Sequence, residues 1–120
     1  MTTLTWNLDH VHASRMKTLA LILTDPNPIH FDPAEADKLG TGGRLVNQGP
    51  STIALIYNLF AAQVPGKRVR SLSVRLLGNV LEGDAVTVTA TATEPDEYDV
   101  TVGTPEGMKI SGTARLVDRS

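Results

Sequence analysis

Ser51-Thr52-Ile53-Ala54-Leu55-Ile56-Tyr57-Asn58-Leu59-Phe60-Ala61-Ala62-Gln63-Val64 is apolar nearly all round, broken beyond Thr52 only by Asn58 and Gln63. A helix without a polar face has to be buried on most sides. Pro50 stands where a first helical residue should, since a first-turn N–H has no helical partner to lose, and Pro65-Gly66 ends the segment with a turn signal. Whatever buries this helix must come from the rest of a short chain.

Beyond Gly66 the period changes from helical to two. Leu72, Val74 and Leu76 alternate with Ser71, Ser73 and Arg75, and Val86, Val88, Ala90 and Ala92 alternate with threonines. Gly83-Asp84, Glu94 to Glu97 and Thr104 to Gly107 supply turns, and Met108, Ile110, Ala114 and Leu116 share one face of a last strand. With Leu4 to Leu8 as a first strand, the pattern predicts an α+β domain in which a curved antiparallel sheet wraps around the buried central helix.

The stretch between first strand and central helix is turn-rich. Met16, Leu19, Ala20 and Leu23 mark one face of a helix over Ser14 to Leu23, which must stop by Thr24 because Pro26 and Pro28 cannot continue it. Asp25 to His30 is therefore a proline-stiffened loop. Pro33 to Leu39 reads as a short helix with Asp32 as N-cap and Gly40 as its end. The Gly40, Gly42, Gly43 cluster is read as a turn, because its spacing fits no phosphate-binding loop.

Composition sets the outer bounds. The chain has 120 residues, enough for one domain, 1–120, with no linker or internal repeat. A net charge of -2 and an aromatic content of 4% give no basic, base-stacking surface for nucleic acid. No cysteine is present, so disulfides, thiol catalysis and cysteine-held metals are excluded. No apolar run approaches the roughly 20 residues needed to cross a bilayer, and the first residues lack a signal pattern; the expectation is a cytoplasmic protein with no membrane partner. His10 and His12 are read as surface residues, because nothing else completes a ligand set with Asp9, and no metal site is expected.

Chemistry concentrates in Asp25-Pro26-Asn27-Pro28-Ile29-His30. On a stiff loop a carboxylate and an imidazole five positions apart can converge on one water, whereas on a helix they would point about 140° apart. Such a pair suits water addition to an activated double bond, with one group taking a proton from water and the other delivering one to carbon. Asn-Pro and Asp-Pro are equally ordinary turn formers, and Asn27 is assigned to shaping the loop.

This hexapeptide, followed by a short helix, a Gly-rich loop, Arg44-Leu45-Val46 and a Gly-led buried helix, resembles the MaoC-like (R)-specific enoyl-CoA hydratases and 3-hydroxyacyl thioester dehydratases. The similarity continues at Ser71 to Arg75, Gly83-Asp84 and Gly112-Thr113-Ala114. The resemblance implies a hot-dog fold, reversible hydration of trans-2-enoyl thioesters to (R)-3-hydroxyacyl thioesters, and a place in fatty acid or lipid metabolism. It also implies catalysis by Asp25 and His30 without a cofactor. The family's oxyanion donor would be the backbone N–H of Gly49, or of Gln48, since Asn47-Gln48-Gly49-Pro50 stands where the family usually has His-Gly. Lys67, Arg68 and Arg70 are read either as a solvated strand end or as contacts for the phosphates of coenzyme A or an acyl carrier protein.

Two other hot-dog functions compete. A thioesterase would commonly carry a carboxylate on the central helix, and Ser51 to Val64 has none. A non-catalytic subunit would not need both Asp25 and His30. An exposed sheet edge predicts a homodimer. The resemblance implies a second expectation, since the short N-terminus lacks elements that larger relatives place over the acyl tail: a heteromer with a second hot-dog chain in which this is the catalytic half, acting on bulky, for example steroid side-chain, acyl groups.

Overall fold

The computed structural model describes residues 2–12, 16 and 27–119. Five strands, β1 (Thr3–Leu8), β2 (Lys67–Leu76), β3 (Val86–Glu94), β4 (Glu97–Thr104) and β5 (Gly107–Asp118), form one antiparallel sheet in the order β1-β3-β4-β5-β2. Between β1 and β2 the chain forms a 3-10 turn (Pro28–His30) and two helices, α1 (Pro33–Asp37) and α2 (Gly49–Gln63). The sheet curves around α2 in the hot-dog arrangement. The helix expected over Ser14 to Leu23 lies outside the described residues except for Met16, which is fully buried, and Asp25 lies outside them too.

Alternation sorts the side chains. Val86, Val88 and Ala90 of β3, Val100 and Val102 of β4, and Ile110, Ala114 and Leu116 of β5 are buried in one cluster with Leu55, Ile56, Leu59 and Phe60 of α2. Each large apolar side chain buried this way contributes about 1.5–3 kcal/mol. The Phe60 ring meets Tyr98 edge-on at 5.2 Å between centroids, fixing the helix against β4.

Three details depart from the sequence reading. First, α2 is buried along one face only: Ala54, Tyr57, Asn58 and Ala61 are exposed, because one concave sheet covers one side of a cylinder. Second, Leu76 and Met108, expected on core faces, are 58% and 52% exposed. A 15-residue helix is roughly 22 Å long and the 12-residue β5 nearly 40 Å, so strand ends overrun the helix. Third, Pro50 is the second helical residue, with Gly49 the first. In α1 the expected cap is in place, Asp32 Oδ1 accepting from Ala34 N at 2.9 Å, but the helix ends at Asp37 and turns through Gly40 at φ 81°.

Strand β2 also changes phase. Val69 faces the core, as do Leu72 and Val74, and the parity break is absorbed by a bulge at Arg70: Val69 pairs with Leu116 and Ser71 with Arg115. Farther along the same pair, Gly112 is a point of close approach. A Cβ there would stand 2.1 Å from Ser73 O and 2.9 Å from Val74 Cα, both backbone atoms that no rotamer change can move.

The loop after β2 is held by Asp84. Its buried carboxylate accepts from Leu81 N at 2.8 Å through Oδ2 and from Arg44 Nη2 at 2.5 Å through Oδ1. Arg44 Nε donates to Glu82 O at 2.9 Å, and the backbone of 83–84 exchanges hydrogen bonds with Val11. Hydrogen bonding to Asp84 holds the Arg44 guanidinium pKa above its ordinary value. The carboxylate thus ties its own loop to Arg44, and the loop's backbone ties in Val11.

Two stability outcomes follow. Gly112→Ala should lose at least about 2 kcal/mol by forcing β2 from β5, whereas Gly66→Ala, with open space around it, should change stability by under about 1 kcal/mol in urea denaturation. Asp84→Ala should lose about 2–3 kcal/mol by stranding the Leu81 N–H and the Arg44 charge. Arg44→Ala, measured the same way, should lose less, because Arg44 is partly exposed.

Candidate functional site

The motif loop is built by its own residues. Asn27 is extended, and its Oδ1 accepts from Ile29 N at 3.2 Å, closing the turn over Pro28–His30. Phe31 N and Asp32 N both donate to Pro28 O, at 3.1 and 2.7 Å, so the chain leaves the turn directly into α1. His30 is thereby carried inward, to 8% exposure.

Val46 holds that position. Its N–H donates to Ile29 O at 2.9 Å, and its carbonyl lies 2.6 Å from His30 Nδ1. A carbonyl only accepts, so Nδ1 carries the proton of this bond and Nε2 is the other ring nitrogen. Arg44-Leu45-Val46 forms a single antiparallel bridge to Leu81 in place of a full strand, extended by Asn47 N to Val80 O at 2.8 Å.

Asn47 and Gln48 lead into α2. Gln48 is its N-cap, yet provides no side-chain cap; the side chain turns inward and donates from Nε2 to Met16 O at 2.7 Å. Thr52 Oγ1 donates to Gln48 O at 3.3 Å and accepts from Asn47 Nδ2 at 2.8 Å. With no capping side chain, the first N–H groups of a 15-residue helix carry its positive end.

These parts surround one cavity of about 400 Å³, lined by His30, Asn47, Gly49 and Thr52 and, among others, by apolar Leu76, Val80 and Ile110. The size suits a small-molecule site. Of the two oxyanion candidates, Gly49 lines the cavity and Gln48 does not. Asn47 and Thr52 were not singled out by the sequence reading, although a polar Asn-Gln pair just before an apolar helix was a visible signal.

Other candidates stand elsewhere. Lys67 pairs with Asp96 at 2.7 Å and Asp118 at 3.0 Å, which raise its pKa, the Asp96 hydrogen bond most. It sits at the opposite end of β2 from Leu76, nine residues or roughly 30 Å from the cavity rim, with exposed Arg68 and Arg70 beside it. His10 and His12 meet edge-on at 4.1 Å, and among the described residues no group of three or more His, Cys, Asp or Glu could hold a metal. Among the described residues no helix is long and apolar enough to cross a membrane.

Comparison with solved structures places the fold. The chain is similar to the (R)-hydratase from A. caviae involved in PHA biosynthesis, with TM-score 0.82 and 24% identity over 98% of this chain and 95% of that one. It is similar to the R-hydratase PhaJ1 from Pseudomonas aeruginosa, with TM-score 0.82 and 21% identity over 99% and 81%. A chain of the ChsH1-ChsH2 complex from Mycobacterium tuberculosis matches at TM-score 0.80 and 19% identity over 98% and 96%. A search of curated protein sequences finds no match. The MaoC-like domain model matches residues 2–111, nearly the whole sheet and all the cavity-lining segments, and the chain therefore belongs to the MaoC-like family of hydratases and dehydratases.

Proposed function

We propose that this chain catalyses the reversible hydration of trans-2-enoyl thioesters to (R)-3-hydroxyacyl thioesters. The observation that carries the reading is His30: buried at the wall of a cavity, with its ring pinned through Nδ1, beside the uncapped start of α2. The two R-hydratases of like fold support the same reaction class.

In hydration, the water oxygen bonds to C3 and loses a proton to a base. The C2=C3 electron pair moves toward the thioester carbonyl, whose growing negative charge the Gly49 N–H and the helix dipole stabilise. An acid then protonates C2 as the charge returns. Asp25, taken from the family motif, and His30, acting through Nε2, are the base and acid; dehydration runs the same steps backward.

A dimer completes the reading. Among the described residues, edge strands β1 and β2 each leave one side unpaired, and Leu76 and Leu77, at 58% and 50% exposure, line the cavity. Lys67, Arg68 and Arg70 line no part of the described cavity wall and stand toward the far end of β2, so a role in binding the phosphates of coenzyme A or an acyl carrier protein would be toward a second chain's cavity. The ChsH1-ChsH2 likeness favours, as the second assembly, a heteromer in which this is the catalytic half.

With trans-2-enoyl-CoA esters from crotonyl to steroid side-chain types, the purified chain should show hydratase turnover, and Asp25→Asn and His30→Ala should each cut it at least ~100-fold with the fold retained. Near-normal turnover in either folded variant would remove the mechanism. Light scattering during size exclusion should give a species of at least twice 12.8 kDa; an inactive homodimer rescued by a partner chain would select the heteromer.

A further inference from the structure

The hydration reading, on which this inference rests, leaves one hydrogen without a place. The attacking water has two hydrogens. One passes to the base, while the other catalytic group is at that moment a proton donor toward C2. The hydrogen that stays on oxygen, and becomes the 3-hydroxyl hydrogen of the product, needs an acceptor of its own, and by reversibility so does the hydroxyl of a 3-hydroxyacyl substrate before it leaves.

Asn47 fits that need. Thr52 Oγ1 has a single proton and places it on Gln48 O, so the Asn47 atom 2.8 Å from this hydroxyl has to be the donor, Nδ2. The carboxamide is thereby fixed in one orientation, with Oδ1 as its remaining end. Among the described residues Oδ1 accepts no hydrogen bond, yet it is not among the buried unpaired atoms, and Asn47, only 8% exposed, lines the cavity that His30 lines. The backbone is equally fixed, by Asn47 N to Val80 O and by Val46 between Ile29 and His30.

We infer that Asn47 Oδ1 receives the hydrogen retained by the nucleophilic water and the 3-hydroxyl of the hydrated thioester, making Asn47 a substrate contact that distinguishes 3-hydroxyacyl from saturated acyl chains. Thr52 is its positioning residue. Asn47→Asp keeps an acceptor at the same place, whereas Asn47→Ala removes it.

The test combines turnover with binding. Asn47→Ala should lower kcat/KM for crotonyl-CoA hydration and for (R)-3-hydroxybutyryl-CoA dehydration by about tenfold or more, the scale of one hydrogen bond in the transition state. Asn47→Asp should recover part of the loss, and Thr52→Val, which releases the amide while keeping its shape, should show a smaller loss of the same kind. In an Asp25→Asn background, where turnover is suppressed, Asn47→Ala should weaken (R)-3-hydroxybutyryl-CoA several-fold and leave butyryl-CoA unchanged, as read by titration calorimetry. Equal weakening of both ligands, or turnover within about twofold of wild type for Asn47→Ala while Asp25 and His30 variants collapse, would overturn the assignment. If Asn47→Ala does not fold, Thr52→Val decides on the same two ligands. Absence of hydration by the wild-type chain on every ester would instead overturn the parent reading, and this inference with it.

Discussion

The site depends on one peptide group pair at Val46. Its N–H fixes the carbonyl of Ile29 and its C=O fixes the ring of His30, so a single residue holds the motif turn by backbone and by side chain. Either bond alone is worth roughly 1 kcal/mol. Together they define the distance between the turn and the start of α2, because only Asn47 and Gln48 separate Val46 from the helix. Val46 is itself held from the other side, where its bridge to Leu81 and the Glu82 N to Leu45 O bond tie it to the loop organised by Asp84. His30 is therefore referenced to the sheet through a backbone ladder, Ile29 to Val46 and Leu45 to Glu82, that ends on the loop organised by Asp84.

Much of this arrangement was legible in the sequence, and the limits have physical causes. Alternation in Val86 to Ala90 identified a strand and its inward face, because period two has one structural meaning. The same alternation misjudged Leu76 and Met108, since a period gives a face but not the length of the helix that covers it. The bulge at Arg70 was present as a parity break between Val69 and Leu72, readable only once β5 is known to be the partner. Asp84 looked like turn punctuation because its partner Arg44 is 40 positions away. In the site, the turn proline residues and Asn27 announced a shaped loop, and the structure places His30 and Gly49 on one cavity. Asn47 and Thr52 escaped notice because their pairing needs the Gln48 cap geometry, which puts residues five apart across a loop-to-helix junction within 2.8 Å.

The start of α2 also has a division of labour that spacing alone does not reveal. Pro50, at the second helical position, has no N–H, and Thr52 N is taken by Gln48 O at 3.0 Å. Gln48, which would ordinarily be judged as a cap, spends its side chain on Met16 instead. The N–H of Gly49 is left at the cavity wall without a capping side chain over it. Among the described residues a Cβ at 49 would meet only Leu76 Cδ1, at 3.7 Å, ordinary contact.

The described part of the cavity wall suits the proposed hydration, in which charge on the substrate is transient. Among the described residues that line it none is Lys, Arg, Asp or Glu, and Arg44, in the segment leading to Val46, is committed to Asp84. Enoyl thioester, water and hydroxyacyl thioester are all neutral at the reacting atoms, and negative charge exists on the thioester oxygen only on the way between them. A fixed cation in the wall would attract the carrier's phosphates and would hold the charged intermediate more firmly than a reversible step requires. On the proposed reading, backbone dipole and neutral hydrogen-bond donors would act on the charge where it appears and place little energy on the neutral states either side. On the proposed reading, the absence of a fixed cation among the described lining residues and the Nδ1 proton of His30 meet one requirement: groups held in place before the reaction, acting as the proton and the charge move.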